Sequence, residues 1–227
     1  MTQIKVTYID HCGSDLSVVN AARVSFGKKS HCTETKWVEM GDWSGDMPVV
    51  DDRDTKLIKY LAKHKHISPF GHAFASFHVK APIFVARQLV KHKFLRWNEI
   101  SRRYVDEDPE LYVPDVWRGR SEDKKQGSEG VSDTTINPSF INNQALTVYK
   151  NLLKDGVAPE MARMVLPQST MTEWYWSGSL DAFADMCRLR CKGDTQYESR
   201  VVADQISEMM SELYPVSWAA LMKGETE

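Results

Sequence analysis

Hydrophobic and polar residues follow two different periods along this chain, and together they predict a mixed α and β structure. Ile4, Val6 and Tyr8 alternate with polar residues, which is typical of a strand with one buried face. Similar patterns predict strands at 72–80 and 168–176. Helical spacing predicts helices that begin after Ser14, near 54, at Pro82, at Ser139, at Pro159, after Ser179 and near Thr195.

Cap residues and apolar faces refine these helices. Ser14, Ser139 and Ser179 are expected to cap the helices that they precede, and Pro215 is expected to end the last one. The residues expected to face inward are Ile141, Ala145, Val148 or Tyr149, and Leu152 on the helix from Ser139; Leu180, Phe183, Cys187 and Cys191 on the helix after Ser179; and Val201, Met209 and Leu213 on the last helix.

Two long segments show neither period. Residues 27–52 are polar with interspersed glycine and proline, which predicts a long loop with or without a short hairpin. Residues 118–138 are rich in Gly, Ser, Asp and Lys, which predicts a surface loop. A chain of 227 residues can bury a sizeable core either as one large domain or as two small ones.

Composition narrows the function classes. The formal net charge is −2 and the pI is about 6.4, so nothing global indicates binding to nucleic acid or to a membrane surface. No apolar run approaches the roughly 20 residues of a membrane span, and the N-terminus lacks the apolar core of a signal peptide. We therefore expect a cytoplasmic protein.

Cysteine and histidine spacing does not favour a metal site. None of the four cysteines forms a C-x-x-C pair, and all four are expected to be free thiols. His64, His66 and His72 lie close together, but Pro69 interrupts the segment and no H-E-x-x-H motif occurs. No metal is expected.

The segment 91–104, KHKFLRWNEISRRY, is the strongest candidate for chemistry. Five basic residues against one acid give a local charge of +4, and Ser101 and Tyr104 add groups that both donate and accept hydrogen bonds. A basic surface loop is the alternative for such a segment. Because no glycine-rich phosphate-binding motif occurs anywhere in the chain, phosphates would have to be held by separated cations.

This segment resembles the signature of flavin-dependent thymidylate synthases (ThyX). The family pattern is Arg-His-Arg, seven residues and Ser, with Asn-Glu inside and Arg-Tyr after; here it is Lys91-His92-Lys93, Ser101, Asn98-Glu99 and Arg103-Tyr104. Segments 22–26, 77–88 and 159–167 are also similar to family sequence. The resemblance implies a single α+β domain over 1–227, with a central, mostly antiparallel sheet flanked by helices, that assembles as a homotetramer with shared active sites.

The resemblance also implies roles for individual residues. Arg190, Ser101 and His92 are expected to be catalytic. The expected cofactor-binding residues are Ser25, His66, Ser68, Lys91, His92, Lys93, Glu99, Ser179 and Asp185. The expected substrate-binding residues are Gln88, Lys91, Glu99, Ser101, Arg103, Tyr104, Arg163 and Arg190. The chain departs from the family at both lysines, at Gly71 where the family has Glu, and at Ser179 and Asp185 where it often has Asn.

The implied reaction is methylation of dUMP at C5. Methylenetetrahydrofolate would supply the carbon and NADPH the electrons, with FAD as the cofactor. Two alternatives stay open at this point: the same flavin and folate chemistry on another pyrimidine nucleotide or with another one-carbon group, and a catalytically silent nucleotide-binding homologue. Because lysine lacks the planar fork of arginine, we expect weaker binding of FAD or dUMP than in Arg-His-Arg relatives.

Overall fold

The computed structural model describes residues 3–104, 107–122 and 127–223. Within these ranges the strands are β1 (Lys5–Cys12), β2 (Glu34–Met40), β3 (Trp43–Val49), β4 (Phe74–Pro82), β5 (Arg96–Glu99), β6 (Arg118–Arg120), β7 (Ser128–Val131) and β8 (Met171–Ser179). The α-helices are α1 (Asp15–Arg23), α2 (Asp52–Lys63), α3 (Ile83–Leu89), α4 (Ser139–Lys154), α5 (Pro159–Ala162), α6 (Leu180–Arg190), α7 (Tyr197–Leu213) and α8 (Pro215–Met222).

A four-stranded antiparallel sheet in the order β1-β4-β8-β5 organises the molecule. Its register places Tyr8, Phe77, Trp176 and Trp97 side by side in one row across the four strands. Side chains alternate between the two faces of a strand, so this row lies on one face of the sheet. The fold is therefore α+β with antiparallel pairing, as the family resemblance implied.

Helix α6 covers this face of the sheet. The Phe183 ring meets Phe77 edge-on at a centroid distance of 5.2 Å and Trp176 at 5.7 Å, and all three side chains are buried. The predicted inner face of α6 is confirmed for Leu180, Phe183 and Cys187, whereas Cys191 is only half-buried. Ser179 occupies the N-cap position of α6 as predicted.

The C-terminal helices hold the N-terminal strand in place. Gln205 on α7 accepts from the Val6 amide through Oε1 at 2.9 Å. The Tyr214 hydroxyl donates to the carbonyls of Phe74 and Cys12 at 2.9 and 3.2 Å. Asp15, at the start of α1, accepts from the amides of Val216 and Ser217 at 2.9 Å each. Two ends of the chain thus share one core.

Several predicted elements differ from those observed. The segment 27–52 contains the hairpin β2–β3, which the sequence had left open. The segment 118–138, predicted as a surface loop, contains the short pair β6–β7, with 123–126 outside the described residues. The last predicted strand is shifted to β8. Pro215 does not only follow α7; it also begins α8, because proline fits the first helical turn.

The predicted inner faces of two helices are only partly confirmed. Pro138, not Ser139, is the N-cap of α4. On α4, Ile141 is exposed, whereas Ala145 and Leu152 are half-buried. Of the two alternatives Val148 and Tyr149, it is Tyr149 that is buried. On α7 the buried apolar residues are Val202, Ala203, Ile206, Met210 and Leu213, so of the three predicted residues only Leu213 is fully buried. Helical spacing identifies an amphipathic helix but does not show which neighbour covers it.

We predict that Asp15→Ala lowers the free energy of unfolding by about 2–4 kcal/mol, because the buried amide of Ser217 and the partly buried amide of Val216 lose their acceptor. Urea denaturation followed by far-UV circular dichroism measures this change. Asp155→Ala, at an exposed position after α4, is the matched control and should change stability by less than about 0.5 kcal/mol. Equal effects of both substitutions would contradict the anchoring role of Asp15.

Candidate active site

The segment 91–104, which carries the family signature, contributes β5, an edge strand of the sheet. Trp97 pairs with Trp176 and Glu99 with Trp174, so Trp97 and Glu99 point to the same face of the sheet. The Trp97 ring stacks on Trp174 at 4.3 Å with an interplanar angle of 18°. This stack fixes the position of β5 against the core.

Glu99 is oriented by two neutral donors. Its Oε2 accepts from Trp97 Nε1 at 3.1 Å, and its Oε1 accepts from Thr172 Oγ1 at 2.6 Å. The residue remains exposed, so both oxygens keep lone pairs for a ligand. A carboxylate held in this way can accept from a sugar hydroxyl or a ring N–H.

The turn after β5 gathers three further predicted residues. Arg103 donates to Ser101 Oγ from both its backbone amide and its Nε, each at 3.3 Å. The Arg103 guanidinium lies 5.1 Å from the centroid of the Tyr104 ring. Tyr104 is 77% exposed, so this group faces solvent and is accessible to a nucleotide.

Arg190 and His92 join two distant segments. Arg190 is the last residue of α6, and its Nε donates to His92 Nε2 at 3.0 Å. Nε2 is therefore an acceptor, so the neutral imidazole carries its proton on Nδ1. Burial, and then the charge of Arg190, lower the pKa of His92 to about 4. Burial also lowers the pKa of Arg190.

Three predicted cofactor-binding residues line one cavity. Ser25, His66 and Ser68 border a space of about 690 Å³ between α1, α2 and the 3-10 turn Ser68–His72. The rings of Tyr60 and His66, which also line it, are nearly parallel, with centroids 6.1 Å apart and an angle of 26°. Hydroxyl, imidazole and aromatic groups around one space suit a planar ring ligand.

Two other cofactor-binding candidates, Ser179 and Asp185, are not among the residues that line this cavity. Asp185 lines a different cavity of about 820 Å³ and is ion-paired with Arg188. Ser179 is the N-cap of α6 and pairs with Phe74 across the sheet. Ser179 and Asp185 therefore do not line the cavity bordered by Ser25, His66 and Ser68.

The predicted phosphate ligands are also dispersed. Helix α3 ends at Leu89, so Lys91 lies outside the helix that carries Gln88. Lys91 and Lys93 are exposed. Arg163 is exposed on a 3-10 turn, where its Nε donates to the Glu160 carbonyl at 3.3 Å. Within the part of the chain that the structure describes, no hydrogen bond or ion pair joins Arg163 to the segment 91–104.

Sequence reasoning missed the residues that support this site. Thr172 and Trp174 orient Glu99 and β5, but their role depends on strand register, which local patterns do not give. Gln196 and Ser199 bond to Gln88. Glu198 could have pointed to them, because it lies at the start of an amphipathic helix, and a glutamate that is buried there needs polar partners.

The described part of the chain contains neither a cluster of metal ligands nor a membrane-spanning helix. Among residues 3–104, 107–122 and 127–223, no three His, Cys, Asp or Glu side chains converge as metal ligands would. Over the same ranges, every helix is too short or too polar to cross a membrane.

Comparison with known proteins identifies the family. The sequence model described as "Thymidylate synthase complementing protein" matches residues 7–216, and the chain belongs to this family. The flavin-dependent thymidylate synthase of Thermus thermophilus is 39% identical over 218 residues, covering 95% of this chain and 74% of that protein. The resemblance drawn from the signature is confirmed.

Solved structures show the same fold. The UMP/dUMP methylase PolB from Streptomyces cacaoi bound with 5-Br dUMP has a TM-score of 0.80 and 31% identity, covering 96% of this chain and 94% of that one. The same enzyme bound with 5-Br UMP has a TM-score of 0.79 and 30% identity, covering 97% and 94%.

We predict that Arg190→Gln raises the pKa of His92 from its value of about 4, because a neutral side chain no longer opposes protonation. Burial remains, so the pKa should stay below the ordinary value of about 6.5. NMR titration of the His92 ring measures the change. Arg188→Gln, which removes a charge from the same helix without touching His92, should leave the titration unaltered. An identical His92 titration in Arg190→Gln and wild type would contradict the prediction.

Proposed function

We propose that this protein is a flavin-dependent thymidylate synthase that methylates dUMP at C5 to give dTMP. Methylenetetrahydrofolate is the carbon donor, and NADPH is the reductant through FAD. The contact between Arg190 and His92 is the observation that carries the proposal. It joins the signature segment to the end of α6, which are the two segments expected to meet at the flavin and the pyrimidine. The protein is expected to act in the cytoplasm as a single catalytic domain.

The chain offers groups that fit part of a flavin. The cavity of about 690 Å³ combines the Ser25 and Ser68 hydroxyls with the His66 imidazole, and His92 and Lys93 would touch the same cofactor. A Cβ built at Gly71 meets no atom within 4 Å, so space remains where the family has Glu. When bound, FAD would supply electron transfer from NADPH and relay of the one-carbon unit.

The nucleotide would be recognised by the group around β5. Glu99, Ser101, Arg103 and Tyr104 would hold the sugar and base, since they combine a fixed carboxylate with a hydroxyl, a guanidinium and a phenol. Gln88, Lys91 and Arg163 would surround the phosphate. The lysine supplies a compact charge there, not a bidentate fork.

Arg190 would polarise the uracil ring. Its guanidinium is half-buried, so its charge is less screened than that of a surface arginine. His92 accepts from Nε and fixes the direction of the guanidinium. A preorganised cation of this kind stabilises negative charge that develops on the pyrimidine as its C5 becomes nucleophilic.

Assembly as a homotetramer would complete the site. Phe140 and Ile141 on α4 are 68% and 64% exposed, and Met164 beside Arg163 is 71% exposed. Exposed apolar patches of this kind mark interaction surfaces. If these side chains were buried against another copy, Arg163 would join an active site shared with the neighbouring chain. Ser179 and Asp185, on other segments, would contribute to shared sites in the same way.

UMP is a second candidate substrate. The specific observation is that the similar PolB structures carry 5-Br dUMP in one case and 5-Br UMP in the other. The two nucleotides differ only by the ribose 2′-hydroxyl, so the residues proposed for base and phosphate suit both.

Tritium release from C5-labelled nucleotide tests the proposal. We expect release from labelled dUMP that requires FAD, NADPH and methylenetetrahydrofolate, each omitted in turn. Labelled UMP under the same conditions tests the second candidate. A protein that turns yellow with FAD but releases tritium from neither nucleotide would contradict both substrates. A protein that neither binds FAD nor releases tritium would be a silent homologue.

We predict that Lys93→Arg tightens FAD binding several-fold, because a planar fork replaces a point charge beside the cofactor. Fluorescence quenching of FAD on titration with protein measures the dissociation constant. Lys5→Arg on β1, an exposed position outside the proposed site, is the matched control and should leave the constant unchanged. Unchanged or weaker binding by Lys93→Arg would show that the lysine does not limit flavin affinity.

A further inference from the structure

A line of polar side chains runs from the start of α7 to α3, and of its members only Gln88, at the α3 end, is among the proposed ligand contacts. It begins at Glu198, which is 3% exposed and ion-paired with Arg118. The Tyr112 hydroxyl donates to the same carboxylate at 3.4 Å. A carboxylate with a guanidinium partner is ionised, so Glu198 only accepts hydrogen bonds.

The charge of Glu198 fixes the orientation of two side-chain amides, first that of Gln196 and through it that of Gln88. Gln196 must turn its NH₂ group to Glu198, and Nε2 donates to Oε2 at 3.2 Å. The Gln196 oxygen consequently faces Gln88, which must present its own NH₂ group, and Gln88 Nε2 donates to Gln196 Oε1. The ambiguity between amide oxygen and nitrogen is thus resolved by chemistry.

Gln88 has no amide hydrogen left for a ligand in this arrangement. Its Nε2 donates to Gln196 and to the Phe84 carbonyl, the latter at 3.3 Å. Its Oε1 accepts from the Ser199 hydroxyl, which is buried, at 3.2 Å. Phosphate oxygens on an ionised nucleotide accept hydrogen bonds and need a donor. Gln88 therefore cannot donate a hydrogen bond to a phosphate until one of the two bonds from its Nε2 breaks.

We propose that Gln88 and Gln196 form an amide latch, held by Glu198, which the nucleotide opens when its phosphate takes the Gln88 N–H. The inference rests on the proposed function, in which Gln88 binds the phosphate of dUMP. Glu198 and Gln196 are positioning residues, since they act through Gln88. Opening is feasible because Gln196 lines a cleft of about 370 Å³, where water can replace the lost donor.

The latch predicts a gain of affinity from the loss of a hydrogen bond. In the FAD-loaded protein, the Gln196→Leu variant should bind dUMP about two- to tenfold tighter, as measured by isothermal titration calorimetry. The nucleotide then no longer has to break the hydrogen bond between Gln88 and Gln196, so the free energy of that bond is not subtracted from binding. KM for dUMP should fall by the same factor without a rise in kcat. General damage to the fold would weaken binding instead.

Three further variants isolate the mechanism. In a Gln88→Leu background, Gln196→Leu should have no effect on dUMP affinity, because the residue that it releases is absent. Ser199→Ala frees no amide hydrogen of Gln88 and should not tighten binding. Gln205→Leu removes another α7 glutamine, whose amide bonds to Ile4 and Val6, and should lower the melting temperature without tightening binding.

The outcomes separate the latch from the proposed function. Unchanged or weaker dUMP binding by Gln196→Leu, in a protein whose wild type releases tritium from dUMP, would overturn the latch alone. Tightening that persists in the Gln88→Leu background would overturn it as well. A wild type that neither binds dUMP nor releases tritium would overturn the proposed function and the latch with it.

Discussion

The pairing of β5 with β8 is the constraint on which the candidate site depends. β5 has four residues and lies at the edge of the sheet. A slip of one residue would turn Trp97 and Glu99 to the opposite face. The Trp97–Trp174 stack and the hydrogen bond from Thr172 to Glu99 exist in the observed register only. Core packing and ligand geometry are therefore specified by the same few contacts.

Local patterns were enough for some elements and not for others. β1 and α6 follow from alternation and spacing, because each has one face against the core. The exposed apolar side of α4 has the same periodicity as a buried one, so its orientation could not be read from the sequence. The signature gave the family, but the positions of Thr172 and Gln196 depend on contacts between distant segments. The pattern of residues in a short stretch of sequence does not show such contacts.

The site combines permanent charges with neutral groups whose polarity is fixed by their neighbours. Arg190 determines which nitrogen of His92 accepts, and Glu198 determines which way two amides point. In both cases an ionised group sets the direction of a neutral one through a hydrogen bond. The lysines at 91 and 93 act differently, since an ammonium group imposes no such geometry. In the proposed site, the oriented neutral groups therefore constrain ligand geometry more than the exposed cations do.

The bonds between the two ends of the chain have a consequence for synthesis in the cell. β1 is held by Gln205 and Tyr214, and α1 is held to α8 through Asp15. A ribosome releases the N-terminal segment first, so β1 and α1 emerge long before the residues that complete their packing exist. The domain cannot close while its last helices remain in the exit tunnel. Until then the nascent chain exposes apolar surface, to which chaperones can bind.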